Sequence, residues 1–290
     1  MDRCYFFLKF RSLDLFYFSS PFIAFFRGGG GESGFSHLAI ALASFIALLV
    51  LLTYPYLSVP ESIEIKEKDT LPIAKILRII FHNRLFLLYA LYFFFFQFSF
   101  EWMNAYNIYY FKYSINQEYF YSIYAVTILA QMFGASLYPK FNRLLSKMSI
   151  FYLSGFLSIL GMLGLFTFGQ THADNIPLMF FAASVKQLGS GLFMVTVTHD
   201  LAFVIEVSKS ESGKRYPAIL TSAKLLLAKF TTALTGLGIG FGLHLAGYVG
   251  NHQQTPQTAL LISLQAFGIP ILLVMISMIC YRKFSTLSSE

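Results

Sequence analysis

An all-α, polytopic membrane protein is the fold class that this sequence predicts, and three observations carry the prediction. Apolar runs of membrane-spanning length recur along the chain, and the charged residues gather in the connections between them. The balance of 56% hydrophobic, 18% aromatic and 12% charged residues among 290 lies outside that of soluble domains. About 20 apolar residues suffice to cross the hydrocarbon core. Within one such run only a helix satisfies its own backbone groups. The expectation is about seven full transmembrane helices plus a partial one at the N-terminus.

Residues 1–35 are read as that partial membrane segment followed by a Gly-rich link. The apolar stretch Leu15 to Phe26 is short and is broken by Pro21. The RGGGGESG that follows lacks a small-residue cleavage site. Gly28 to Gly31 lack the Lys-Ser/Thr of a phosphate loop. The full spans are expected near 36–58, 85–111, 118–137, 149–168, 176–204, 217–248 and 258–281. Residues 59–84 form the longest polar connection, and Ile73 to Phe81 within it carries Lys75 and Arg78 at helical spacing. That pattern fits an amphipathic helix on the membrane surface. Residues 85–281 form a six-helix unit, and 282–290 a tail.

The net charge of +7 partitions by connection. Lys66, Lys68, Lys75, Arg78 and Arg84 follow the first span; Lys140, Arg143 and Lys147 the third; Lys209, Lys214 and Arg215 the fifth; Arg282 and Lys283 the last. The connections between them carry Lys112 or no basic residue at all. Retention of Lys and Arg on the cytoplasmic side puts these four connections, and the C-terminus, inside. A basic excess distributed this way is topological, so no nucleic-acid partner is implied. Cys4 and Cys280 lie at opposite ends of the chain, and neither receives a role.

Ionisable residues inside spans mark substrate or ion pathways by default, because they are costly there. Lys186, Lys224 and Lys229 fall within spans. Lys229 lies about 18 Å into its run, beyond easy snorkelling. Gln97, Glu101 and Asn104 recur at i, i+4 and i+7, one face of the second span, which suits either a cavity or hydrogen bonding between helices. Glu101 is a candidate ion-pair partner for Lys186. Trp102, Tyr106, Tyr109, Tyr110 and Tyr113 read as an interfacial aromatic belt. Gly236 with Gly240, and Gly238 with Gly242, are small-xxx-small pairs that permit close helix packing. No metal-ligand spacing, catalytic triad or paired carboxylates occurs in an aqueous connection, so there is no positive case for an enzyme.

Asp200, then Glu206, the turn Gly213-Lys214-Arg215, Lys229 and the closing AGYVGN together resemble the tenth and eleventh helices of the glycoside-pentoside-hexuronide:cation symporters, the melibiose permease type of the major facilitator superfamily. NIYYFKY is similar to the exit of the family's seventh helix, and LYPKFNRLLSKMS to the basic turn between its eighth and ninth. The resemblance spans roughly Ser36 to Lys283. It implies a major-facilitator-type helix bundle, with the span at 36–58 resembling helix six and 85–281 the C-terminal six-helix half.

It further implies that Asp200, Glu206, Lys214 and Arg215 form a charged network at a cytoplasmic gate. It places Lys229 near the central cavity, and the polar residues within spans, Lys224, Gln97, Glu101, Asn104 and Lys186, are the further candidates for lining it. The activity implied is cation-coupled symport, by Na⁺ or H⁺, of a sugar-like or other small solute through an inner or plasma membrane. No cofactor is expected beyond the coupling cation, and the partners expected are the solute and membrane lipid. Phe203 stands where the family often has a second acid, Lys224 stands where a polar side chain is expected, and the turn before Arg215 is longer. The family's acidic cation-binding residues belong to helices that this sequence does not match. The expected product is therefore an incomplete carrier. Two other readings stay open: a split or truncated half needing a separately encoded N-terminal half, and a non-transporting membrane scaffold whose buried charges are structural.

Overall fold

The structure is a computed structural model that describes residues 31–53, 72–117, 119–212, 216–250 and 252–289. The expected N-terminal membrane segment, the acidic part of the central connection, Lys214 and Arg215 lie outside the described residues. Among the described residues every element is helical: α1 (Gly31–Thr53), α2 (Ile73–His82), α3 (Arg84–Tyr109, continued by a π-helical turn Tyr110–Ser114), α4 (Phe120–Val126), α5 (Ile128–Leu144), α6 (Lys147–Thr171), α7 (Ile176–Ser212), α8 (Pro217–Leu245) and α9 (Pro256–Ser289). Two units separate, residues 1–70 and 71–290.

In the first unit α1 covers most of the span expected at 36–58, and its stretch Ala43–Thr53 is apolar apart from Ser44 and Thr53. In the second unit six helical stretches are long and apolar enough to cross a membrane: Arg84–Ser114, Tyr119–Leu144, Lys147–Thr171, Ile176–Ser208, Pro217–Leu245 and Pro256–Leu287. They coincide with the last six predicted spans, but three run well past their expected ends, α5 reaching Leu144 where the expected end is residue 137. α7 continues past residue 204 to Ser212, and α9 continues through the expected tail. The reason at α9 is packing: Tyr281 and Phe284, on either side of Arg282 and Lys283, are both buried against Tyr92. A basic pair marks where a chain meets headgroups, not where a helix stops.

Local chemistry sets the ends. The Asn83 side chain caps α3, accepting from Phe86 N at 2.8 Å, and Ser146 caps α6, accepting from Ser149 N at 3.2 Å. Pro217 occupies the first turn of α8, where its missing N–H goes unneeded. α8 ends in a Schellman motif, with Tyr248 N donating to Leu243 O and Gly247 N to His244 O, both at 3.0 Å. Gly247 supplies the required left-handed conformation at φ 72°.

Helix neighbours follow one another in the order α5, α7, α6, α9, α3, α8, and α3 also touches α7. α7 approaches its neighbours closely because glycines face it. A Cβ on Gly161 of α6 would lie 2.4 Å from Lys186 N, and one on Gly134 of α5 would lie 2.4 Å from Leu188 O. The core between helices is aromatic. Tyr92 packs edge-on against Tyr89, Phe151 and Tyr281, while Phe96 stacks on Phe193 at 3.5 Å and Phe151 on Tyr281 at 3.7 Å.

Candidate functional site

The polar stripe of α3 is half-buried, and Gln97 donates from Nε2 to Glu101 Oε1 at 2.9 Å, one turn apart. Asn104 is half-buried on the same face. Opposite α3, Lys224 of α8 is half-buried with its ammonium 5.6 Å from the Phe93 ring centroid. Lys229 is exposed. Five residues along a helix turn the chain by about 140°, so the two lysines of α8 serve different faces.

Lys186 of α7 is fully buried, at 0% exposure. Its Nζ lies 4.4 Å from the Phe100 ring centroid, 3.5 Å from the Tyr124 hydroxyl and 3.4 Å from Gln187 Oε1. The expected ion pair with Glu101 does not form. α3 turns Phe100 toward the lysine, and the next residue points about 100° away around the helix. Lys186 is thus a cation in a cage of ring, phenol and amide. Asn107 of α3 is buried in the same helix bundle with its Oδ1 unpartnered.

The second buried charge is Asp200, also on α7, at 2% exposure. Tyr92 of α3 donates to its Oδ2 at 2.8 Å, and the Tyr281 hydroxyl of α9 is directed at the same carboxylate. The Tyr89 and Tyr138 hydroxyls are buried without partners. Glu206 is exposed. Asp200 and Glu206, expected in one network, are turned apart because six residues rotate a helix by about 240°. This box of phenols was missed in the sequence; its only trace is Tyr89 and Tyr92, spaced i and i+3 just ahead of the run Phe93 to Phe96.

The belt reading needs correction too. Trp102 and Tyr106 are buried and face α9, with Trp102 Nε1 donating to Gln265 O at 3.0 Å and the Tyr106 hydroxyl to Gln265 Oε1 at 2.7 Å. Tyr110 is buried and donates to Leu165 O at 2.7 Å. The aromatic cluster that forms near the end of this span consists instead of Tyr109, Tyr113 and Tyr248, whose rings meet at 5.1 to 6.4 Å. Tyr248, in the turn after α8, has its hydroxyl pushed up to about 12, by desolvation first and then by its hydrogen bond and charge interaction with Tyr113. Of the two glycine pairs only Gly238 and Gly242 pack, against Trp102 and Tyr106; Gly236 and Gly240 have nothing within 4 Å.

The family model for MFS/sugar transport proteins matches residues 5–286. The chain belongs to that family. It is 24% identical over 252 residues to the isoprimeverose transporter of Lactiplantibacillus pentosus, covering 87% of this chain and 52% of that protein. It is 22% identical over 231 residues to the lactose permease of Lactobacillus delbrueckii subsp. bulgaricus, covering 78% of this chain and 36% of that protein. To the glucuronide carrier protein homolog of Escherichia coli K12 it is 24% identical over 160 residues, covering 53% and 34% respectively. The chain thus spans about half the length of the first of these relatives and about a third of the other two. Family and helices together make it a multi-pass integral membrane protein, and its relatives are transporters, not enzymes.

Proposed function

We propose that this chain acts as the C-terminal half of a secondary transporter that couples Na⁺ or H⁺ to symport of a sugar-like solute. The observation that carries the reading is the two-sidedness of α8. One side packs Gly238 and Gly242 against α3. The other side exposes Leu225, Lys229, Ala233, Gly236 and Gly240, which recur at three- and four-residue steps along one stripe. A lysine among small residues suits a lipid-facing surface poorly, because the ammonium is costly in hydrocarbon and small residues forgo packing there. It suits a second bundle or a water-filled cavity. In carriers of this superfamily two six-helix halves face each other with solute bound between them near the midplane, and rocking exposes the site alternately.

On this reading Lys229 and Lys224, with the Gln97, Glu101 and Asn104 stripe, line the cavity. Lys186 stands behind it, and Asp200 with Glu206, Lys214 and Arg215 belongs to the cytoplasmic gate. The ends of the bundle bearing Arg84, Arg143, Lys147 and Lys283 face the cytoplasm, and the C-terminus with them. The membrane is the inner or plasma membrane. The relatives' names favour a glycoside as solute.

The test is uptake of a glycoside panel into proteoliposomes under an imposed Na⁺ or H⁺ gradient. One set contains this chain alone, and the other contains this chain with the N-terminal half of a family carrier. Gradient-driven uptake is expected only in the paired vesicles, and Lys229→Ala or Asp200→Asn should abolish it. Uptake by the chain alone would overturn the two-half arrangement and return the coupling site to Glu101, Lys186 and Lys229. No uptake from well-folded pairs would favour the scaffold reading.

A further inference from the structure

Where α2 meets the start of α3 and α8, the surface holds two adjoining clefts. The first has a volume of about 930 Å³ and is bordered by Lys75, Arg78 and His82, with Asn83, Ser208 and Tyr216 adding hydrogen-bonding groups. The three basic residues recur at i, i+3 and i+7 and so share one face of α2. The second, about 540 Å³, is walled only by apolar side chains of α2, α3 and α8, among them Ala90, Phe94, Ala223 and Phe230. Leu77 and Phe81 line both clefts and form the ridge between them. Both volumes lie within the usual range of small-molecule sites, about 300–1,000 Å³.

We infer that these clefts bind one anionic glycerophospholipid from the adjoining leaflet, with its phosphate on the Lys75–Arg78 face and an acyl chain over the ridge in the apolar slot. A soluble anion would need the first cleft but has no use for the second. A neutral lipid would fill the slot and leave two cations facing a headgroup of zero net charge. Only an anionic amphiphile matches both halves, and basic pockets beside transmembrane helices are where such headgroups bind. The geometry of α2 supports the depth. Ile73, Leu77 and Phe81 are exposed at four-residue intervals, so the helix lies with its apolar side at the acyl boundary and its cations at headgroup level. Asn83 holds this corner in place, its Nδ2 donating to Ser208 Oγ at 2.5 Å across to the end of α7. The inference is independent of the transport reading.

The experiment measures lipid retention by the purified chain in detergent, by native mass spectrometry. Phosphatidylglycerol and phosphatidylcholine of identical acyl chains compete, and inorganic phosphate is titrated separately. Retention of phosphatidylglycerol should exceed that of phosphatidylcholine by about 25-fold, since each basic group near the surface contributes about a factor of five. The exposed double change Lys75→Gln/Arg78→Gln should bring the ratio close to one, and Ala223→Trp, which fills the slot, should reduce retention of both lipids. Equal retention by the unmodified chain, or a ratio unmoved by the double change, would overturn the inference. Displacement of the lipid by millimolar phosphate would show a soluble-anion site instead. Retention that rises only when Glu61, Glu64, Glu67 and Asp69 are neutralised would show that the chain's own acidic segment fills the cleft.

Discussion

Adding one methyl group at each of four glycines of α8 should divide them into two classes. At Gly238 the new Cβ would stand 2.3 Å from Trp102 Cζ3, and at Gly242 it would stand 2.1 Å from the Tyr106 hydroxyl. Neither neighbour can swing away freely, because both are anchored to Gln265, the indole through its backbone oxygen and the phenol through its side chain. Overpacking of this kind costs about 1–3 kcal/mol. Gly236 and Gly240 have nothing within 4 Å, so there alanine brings only its better helix propensity, about 0.5–1 kcal/mol in favour of folding. That gain is common to all four sites, so the two classes should differ by the overpacking cost, roughly 1–3 kcal/mol, or about 2–12 °C in midpoint at ~2–4 °C per kcal/mol for a chain of this size.

The readout is built in, since Trp102 is the sole tryptophan. Gly238→Ala and Gly242→Ala should lower the thermal midpoint followed by its emission in detergent, and Gly238→Ala should also shift the native spectrum. Gly236→Ala and Gly240→Ala should hold or raise the midpoint with an unchanged spectrum. Four equal midpoints, or a loss confined to Gly236 and Gly240, would refute the assignment of the packed and open faces of α8.

Two further substitutions probe the buried charges. Tyr92→Phe removes the donor to Asp200 and should destabilise by about 1.5–3 kcal/mol, the usual worth of a hydrogen bond to a charged group; Tyr92→Phe with Asp200→Asn should cost less than the two changes summed, read as thermal midpoints in a double-mutant cycle. Lys186→Met keeps the length of the side chain and orphans no carboxylate, so its midpoint should stay level or rise; a fall of more than about 5 °C would show that the cage of Phe100, Tyr124 and Gln187 stabilises the cation by well over a kcal/mol.

The spans were legible because hydrocarbon imposes one demand, length without charge, that can be met only along the sequence. α3 and α5 to α9 start close to where apolar runs begin, at Arg84, Ile128, Lys147, Ile176, Pro217 and Pro256, with the short α4 opening the run that α5 continues. What was not legible is helical phase. Glu101 and Phe100 are neighbours in sequence, yet Phe100 meets Lys186 and Glu101 meets Gln97. Asp200 and Glu206 are both acids at the same end of α7, yet one enters a box of phenols and the other reaches the surface. In a soluble helix the apolar stripe would announce which side faces in. Here lipid and core are equally apolar, and the signal fades except where a glycine or a polar side chain interrupts it. Trp102 shows the same limit: a tryptophan toward the end of a span fits a belt by position, and only its bond to Gln265 reveals that it faces another helix.

The two buried charges share a property that bears on the alternating access proposed above. Asp200 is held by the phenols of Tyr92 and Tyr281, and Lys186 by a phenol, an amide and a ring; among the described residues neither makes a salt bridge within the bundle, although the charge of Lys147 on α6 acts on Asp200 at longer range. Removing one partner of a buried ion pair is strongly destabilising, about 3–5 kcal/mol, because it leaves the other charge uncompensated. Exchanging a phenol for another donor leaves no such charge behind, and a hydrogen bond to a charged group is worth about 1.5–3 kcal/mol. A carboxylate satisfied by neutral donors can therefore gain and release a cationic partner from outside its own bundle at lower cost than one already paired within it. The same reasoning makes Asp200, rather than the exposed Glu206, the acid of α7 whose partner exchange would register as a change between conformational states.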